Sequence, residues 1–325
     1  MTLLQVTGIS KKNETNAVLH DINFSQKKYE KIAIAGETGS GKSTLLKIIA
    51  GLEQPDDGEV LFEDKKVVGP FDKLVPGHAD IAYLSQHFEL PKFLRVEQVL
   101  TYANTLSDFQ AAEIFEVCKI DHLLTRGTNQ LSGGEKQRVA LCKLLIASPK
   151  LLLLDEPFSH LDMVHKAVLK AVINDIGKRL KITCILVSHD PNDTLPWANK
   201  ILVIKNGEIV QKGKPEKIYR QPVNEYVGGL FGTYNLIPPD IYKSFVSENN
   251  VSGKQLFVRP EDLKVVSKTR KTVIGVVDEV IFHGSYYDIN IDVQGSTVIV
   301  RSSMCTHSSG DQVHLSLHSP DLWYL

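Results

Sequence analysis

Apolar and polar positions alternate from the start of the chain. Leu3 to Val6, Val18 to Phe24 and Glu59 to Phe62 predict short strands, the third preceded by the turn Pro55-Asp56-Asp57-Gly58. Lys31-Ile32-Ala33-Ile34-Ala35 is a denser β-type run. Lys42 to Gly51 then places Leu45, Leu46, Ile48 and Ile49 at helical spacing, and Ile81 to Leu84 predicts another strand. From Val96 to Ile120 the period is helical, and Ser107-Asp108-Phe109-Gln110 fits a capping box. A further helix should start at Ser132 and run to about Ala147, because Pro149 pushes the residue before it out of the α region. Leu151 to Leu154 and Thr183 to Val187 are continuous apolar runs, as expected of strands buried on both faces of a parallel sheet. Between them Val164, Ala167, Val168, Ala171 and Val172 recur at helical spacing. Ile201 to Ile204 and Glu208 to Val210, joined by Asn206-Gly207, predict a hairpin.

Strands alternating with helices imply an α/β fold with a mostly parallel sheet, whose ligands gather at strand carboxyl ends. The stretch from Val96 to Ile120 reads as a helical subdomain inserted in that body. Beyond about Pro222 the pattern changes to Gly228-Gly229, Gly232 and Pro238-Pro239. Short alternating runs follow at Leu256 to Val258, Val273 to Ile281, Tyr286 to Val293, Thr297 to Arg301 and Val313 to Leu317. They predict a small β-barrel. The expected organisation is an α/β domain over 1–235, with its helical subdomain at about 88–148, and a β domain over 236–325.

Gly36-Glu37-Thr38-Gly39-Ser40-Gly41-Lys42-Ser43-Thr44 fits the phosphate-binding loop G-x-x-x-x-G-K-[ST], and it lies between a strand and a helix as that motif requires. Its three glycines let backbone N–H groups turn inward around an anion. The helix that follows aims its N-terminal dipole at the same phosphates. Lys42 adds a full charge near the β- and γ-phosphates, and Ser43 offers a hydroxyl to Mg²⁺. The chain is therefore expected to bind a nucleoside triphosphate on a P-loop NTPase fold. Asp155, closing the apolar run after Leu154 as a Walker B aspartate does, can hold Mg²⁺ directly or through water. Glu156 beside it is placed to accept a proton from an attacking water.

Composition narrows the partners. The net charge of −1 gives no global pull toward nucleic acid or acidic lipid, and no nucleic-acid partner is expected. Lys264 to Lys271 reads as a solvated basic turn. The four cysteines are scattered without a C-x-x-C pair, which suits reduced, mostly core residues and a cytosolic setting. No signal peptide is visible, and the longest apolar stretch, Leu144 to Leu154, is interrupted by Ser148-Pro149-Lys150. Any membrane role should therefore come through a partner.

Leu131-Ser132-Gly133-Gly134-Glu135-Lys136-Gln137-Arg138 is the most specific stretch. With it, the chain from Leu3 to about Tyr226 resembles the nucleotide-binding subunits of ABC transporters, with the motifs in family order. Gly36 to Thr44 matches Walker A, Gln86 the Q-loop, and Ser132-Gly133-Gly134 the signature. Leu151 to Glu156 matches Walker B, Ser159 to Asp162 the D-loop, and His189 the switch histidine. The resemblance implies a homodimer closed head to tail over two ATP molecules, each held between one subunit's Walker A and the other's signature. It implies that His189 contacts the γ-phosphate. It also implies that Gln86, a further Mg²⁺ ligand, reports to transmembrane permease subunits. Physically, the signature would present a second helix N-terminus to phosphate.

The tail is similar to importer ATPases of the maltose, polyamine, ferric-iron, sulfate and molybdate type, which carry a C-terminal OB-like TOBE domain. That likeness rests on Gly213-Lys214-Pro215-Glu216-Lys217-Ile218-Tyr219, Arg259-Pro260-Glu261-Asp262, and Gly275 to Ile281 followed by Gly284-Ser285-Tyr286-Tyr287. It implies solute import, a substrate-binding protein as an indirect partner, and a place on the cytoplasmic face of the membrane. Alternatives are a soluble ABC-type ATPase with a regulatory or nucleic-acid- or ribosome-linked role, or an export ATPase. The near-neutral charge, the lack of a long inserted coiled coil or second ATPase cassette, and the tail speak against the first, and the tail also against the second. One departure from the family pattern stands out: Ser10 to Leu19 holds no Phe, Tyr or Trp to stack on adenine, and Asn13 is near the expected position. The helical subdomain between Gln86 and Leu131 is also short.

Overall fold

The computed structural model describes residues 1–13, 16–86, 89–244, 253–268, 272–318 and 321–325. The chain forms two compact units, Met1–Pro215 and Glu216–Leu325, whereas the composition shift suggests a division after residue 235.

The first unit opens with β1 (Thr2–Asn13) and β2 (Asn16–Lys27), an antiparallel pair extending well beyond the two expected apolar cores. Next come β3 (Lys31–Ala35), α1 (Lys42–Ile49), β4 (Asp57–Phe62) and β5 (Lys65–Lys66). The strands β2-β1-β4-β5 make an antiparallel sheet. The inserted helices follow β6 (Ile81–Leu84): α2 (Val96–Ala103), α3 (Asp108–Cys118) and α4 (Gly133–Leu145). Residue 88, at the expected start of this subdomain, lies outside the described residues. The unit continues with β7 (Leu151–Asp155), α5 (Met163–Lys178), β8 (Thr183–Val187), α6 (Pro191–Thr194), β9 (Lys200–Lys205) and β10 (Glu208–Gly213).

The second sheet runs β10-β9-β3-β8-β7-β6. Its pairs are parallel except for the hairpin β9–β10. In that hairpin's turn Asn206 and Gly207 have φ of 49° and 79°, the left-handed conformation a two-residue turn needs. Every residue of β7 and β8 is buried. The two-residue strand period distributes them between two cores: Leu151, Leu153, Ile185 and Val187 face α1 and the antiparallel sheet, while Leu152, Leu154, Cys184 and Leu186 face the helices α2 to α5. Cys118, Cys142 and Cys184 are buried free thiols, and Cys305 is half-buried. Among the described residues no helix is long and apolar enough to cross a membrane.

The second unit contains α7 (Pro215–Arg220, from its second residue), α8 (Glu225–Leu230), β11 (Asn235–Ile237), α9 (Pro239–Tyr242) and β12 (Leu256–Val258). It continues with β13 (Leu263–Val266), β14 (Val273–Phe282), β15 (Tyr287–Val293), β16 (Ser296–Ser302), β17 (Gln312–Leu317) and β18 (Trp323–Tyr324). These strands form two antiparallel sheets, β11-β12-β18 and β13-β17-β14-β15-β16. The basic stretch expected as a turn begins instead as β13, where Lys264 pairs with Ser316; its last three residues, 269–271, lie outside the described ones. The side-chain amide of Asn235 joins the two sheets, donating to the Ile299 carbonyl at 2.8 Å and accepting from the Ile299 N–H at 2.7 Å.

Arg259 explains why residues 216–234 fold with the β strands. Its side chain is 1% exposed. Its guanidinium donates to the carbonyls of Tyr219, Gly232 and Thr233 at 2.9 to 3.1 Å. It also lies over the Tyr219 ring at 4.0 Å and the Phe257 ring at 4.9 Å. One planar cation thus satisfies carbonyls at the end of α7 and in the segment before β11. Arg259→Ala should cost about 3 kcal/mol or more, since it leaves buried acceptors without donors. The check is urea unfolding followed at Trp323, whose indole donates to the Pro222 carbonyl at 2.6 Å within the same unit.

Candidate nucleotide site

The parallel register brings four strand ends into one row. Leu84 pairs with Leu154, Asp155 with Val187, and Ile34 with Val187. The loops leaving β3, β6, β7 and β8 therefore all open on the same sheet edge. There they line a cleft of about 390 Å³ that brings together Thr38, Gly39, Gly41, Lys42, Ser43, Thr44, Gln86, Glu156 and His189. Asn13, Val18 and Ser159 complete its wall.

The phosphate loop has the backbone its glycines permit. Gly41 has φ of 95°, and a Cβ there would stand 2.6 Å from the Val18 carbonyl. A Cβ on Gly36 would collide with the Ile204 carbonyl. The Lys42 ammonium closes the loop on itself. It donates to the carbonyls of Gly36 at 2.9 Å and Glu37 at 2.6 Å, and to the Ser40 hydroxyl at 3.3 Å. Burial holds the Lys42 ammonium below the ordinary lysine range, against the opposing pull of Glu156, Asp155 and Glu37.

Two carboxylates stand side by side at the end of β7. Asp155 is 3% exposed; it accepts from the Ser43 hydroxyl at 3.0 Å and from the Tyr83 hydroxyl at 2.8 Å. Burial and the Asp155 charge push the Tyr83 phenol far above its usual range, so it remains a donor. Glu156 takes a left-handed backbone, φ 48°, unusual for a side chain of its size. Its N–H donates to the Val187 carbonyl at 3.1 Å, and its own carbonyl accepts from the Ser159 N–H at 3.2 Å. The twist delivers the carboxylate to the cleft, where both oxygens lie 3.0 Å from His189 Nδ1. Ser159 Oγ stands 3.4 Å from one of them.

The oxygen donors around Ser43 suit a hard cation. Ser43 and Asp155 are in contact, and Gln86 lines the same cleft. Among the described residues no cluster of three His, Cys, Asp or Glu side chains could hold an ion unaided. The Ser43 hydroxyl beside the Asp155 carboxylate fits Mg²⁺, which is usually held by one or two carboxylates together with substrate phosphates.

Ser132, Gly133, Gly134 and Asp162 do not line the cleft. Ser132 and Gly133 are exposed at the start of α4. Ser132 caps that helix, accepting from the Glu135 N–H at 3.3 Å, while Glu135 accepts from the Ser132 N–H at 2.8 Å. Asp162 caps α5, accepting from the His165 N–H at 2.9 Å and lying 2.7 Å from His165 Nδ1. The two caps touch: a Cβ on Gly134 would stand 2.6 Å from the His165 ring. Gln137, buried on α4, donates to the Pro157 carbonyl just after Glu156. The roles of His165, Gln137 and Tyr83 escape sequence reasoning. For Tyr83 a signal did exist, a phenol within the apolar strand Ile81 to Leu84.

Residues 19–159 match the family described as ABC transporter, and residues 256–325 match the TOBE domain. The spermidine/putrescine import ATP-binding protein PotA of Clostridium acetobutylicum is 31% identical over 98% of this chain and 95% of its own length. The chain belongs to the ABC transporter family. As an ABC ATPase, it binds and hydrolyses ATP. The sulfate/thiosulfate import ATP-binding protein CysA of Synechocystis sp. is also 31% identical, over 91% of this chain and 86% of its own. Among solved structures, cbiO1 of Clostridium perfringens superposes with a TM-score of 0.58 at 27% identity, covering 67% of this chain and 90% of that one. A dimeric, post-hydrolysis ATP-binding cassette bound to ADP and Pi gives 0.56 at 26% identity, covering 66% of this ABC ATPase and 99% of the cassette.

The contact between α4 and α5 of this ABC ATPase is directly testable. Gly134→Ala should destabilise the first unit by about 1–3 kcal/mol through overpacking against the His165 ring. Adding His165→Ala should return part of that loss, a coupling that a double-mutant cycle in urea measures. Additive losses would mean that the ring is not what the new methyl meets.

Proposed function

We propose that this chain is the energy-coupling subunit of an importer, acting as a homodimer on the cytoplasmic face of a membrane and driving solute through separate permease subunits. The observation that carries the reading is the meeting of Lys42, Ser43, Asp155, Glu156 and His189 at one sheet edge beneath the phosphate loop. Import is supported by the TOBE match and by the names of the relatives, both import ATP-binding proteins. Those names specify polyamines in one case and sulfate in the other, a cation and an anion, so they bear on direction and not on cargo.

The residues divide the work. The loop N–H groups, the α1 N-terminus and Lys42 bind the phosphates of ATP. Glu156 accepts the proton of the attacking water, and His189, on its carboxylate, orients it and contacts the γ-phosphate. Ser43, Asp155 and Gln86 would hold Mg²⁺, which when bound neutralises phosphate charge. Ser132, Gly133 and Gly134, turned away from their own cleft, complete the partner subunit's site, with Asp162 beside them at the interface. A solved cassette dimer with ADP and Pi supports that assembly. Asn13 and Val18 form the wall where an aromatic would stack on the base, so adenine is held with little stacking.

Glu156→Gln should keep ATP binding and lose turnover by about a hundredfold or more, because general-base loss removes that much rate. In proteoliposomes holding the intact complex, uptake should fall with it. Near-normal hydrolysis would remove Glu156 from the mechanism, and uptake that survives the loss of hydrolysis would dismiss the importer reading.

The shared site predicts complementation. Lys42→Ala and Ser132→Arg each spoil both sites of a homodimer. In a mixed dimer a two-fold interface places both lesions in one site and leaves the other intact. Mixing the two inactive proteins should therefore restore one ATP bound per dimer and part of the hydrolysis. With subunit exchange verified by tag pull-down, mixed dimers that bind no ATP would overturn the shared site.

A further inference from the structure

We propose that Tyr83 is a positioning residue for the cation site, its hydroxyl fixing the carboxylate of Asp155 in the orientation that faces Ser43. The inference rests on the reading of the cleft as an ATP–Mg²⁺ site. Asp155 is 3% exposed at the end of β7, and a carboxylate so enclosed needs donors from the protein. Two are in place, on different oxygens. Ser43 Oγ donates to Oδ1 at 3.0 Å, and the Tyr83 hydroxyl donates to Oδ2 at 2.8 Å.

The two donors are not equivalent. Ser43 is exposed and lines the cleft, so its hydroxyl is available to whatever enters. Tyr83 is half-buried on β6, paired with Leu153 of the neighbouring strand, and does not line the cleft. Its hydroxyl serves the carboxylate alone. A carboxylate held at one oxygen cannot swing about its Cβ–Cγ bond, so the other oxygen stays directed at Ser43. The rigid backbone of two adjacent parallel strands sets the distance between phenol and carboxylate. Mg²⁺ demands near-ideal geometry and dehydrates reluctantly, so a rotating carboxylate is a poor ligand for it. Partners that orient a ligand from behind typically contribute about 10–100-fold to metal affinity.

The test uses the full chain and a fluorescent ATP analogue, titrated with Mg²⁺ and in its absence. For Tyr83→Phe we expect nucleotide affinity without Mg²⁺ to match wild type, while the Mg²⁺ concentration at half-maximal enhancement rises about tenfold. The same rise should appear for free Mn²⁺ counted by electron paramagnetic resonance, a readout independent of turnover. An unchanged Mg²⁺ midpoint overturns the proposal. So does an equal loss of affinity with and without Mg²⁺, which would make Tyr83 a packing residue. If Tyr83→Phe does not fold, Tyr83→Met, apolar and of similar reach, is read in the same way. Wild-type protein that binds the analogue with no response to Mg²⁺ would sink the parent reading and this one together. A wild-type response that persists unaltered in the variant sinks this one only.

Discussion

A strand buried on both faces has nowhere to put a polar side chain except at its ends. That constraint organises the first unit. β7 and β8 are enclosed along their whole length, one face against α1 and the antiparallel sheet, the other against the inserted helices. Polar function is displaced to the carboxyl edge, and because β3, β6, β7 and β8 run parallel, it is displaced to the same edge from each of them. Asp155 and Glu156 end β7, His189 follows β8, and the pairing of those two buried strands brings them together. The energy that assembles the site is therefore mostly apolar burial, spent at residues such as Leu152 and Leu186 that never touch a ligand.

This division explains which features were legible in the chain. Leu151 to Leu154 and Thr183 to Val187 announce their burial by composition, and their ends announce the site. The phosphate loop is legible because its chemistry is local: glycines, a lysine and a helix start within nine positions. The caps at Ser107 and Ser132 are local too, and both form with the partners that their spacing implies. Contacts between side chains distant in sequence leave no such trace. Nothing in the spacing of Gly134 and His165 says that one lacks a Cβ because the other's ring stands there. The same holds for Tyr83, whose neighbour Asp155 is adjacent only through strand pairing.

The β domain shows where local charge misleads. Lys264 and Lys268 flank Val265 and Val266 in a stretch whose charge suggests a turn, yet β17 offers Leu315 as a pairing partner and the valines take the strand. Tertiary pairing outweighs local polarity there, as β propensity depends on neighbours more than on the chain itself. Arg259 is the converse case. Its motif with Pro260, Glu261 and Asp262 has the composition of a surface loop, and its guanidinium is among the most deeply buried groups of the unit.

α4 carries Gln137, bonded to the carbonyl of Pro157, and Gly134, seated on His165. The segment from Glu156 to Asp162 is thus pinned to one helix near both of its ends. Ser132, at the tip of that helix, faces outward, while Glu156 faces the cleft. Both surfaces therefore connect to α4, through the Gln137–Pro157 hydrogen bond and the Gly134–His165 contact. Linkage then imposes a symmetry of energies: whatever ATP in one cleft contributes to docking at the exposed serine, docking there must return to ATP affinity in that cleft. In a dimer that uses both surfaces, each site is the effector of the other.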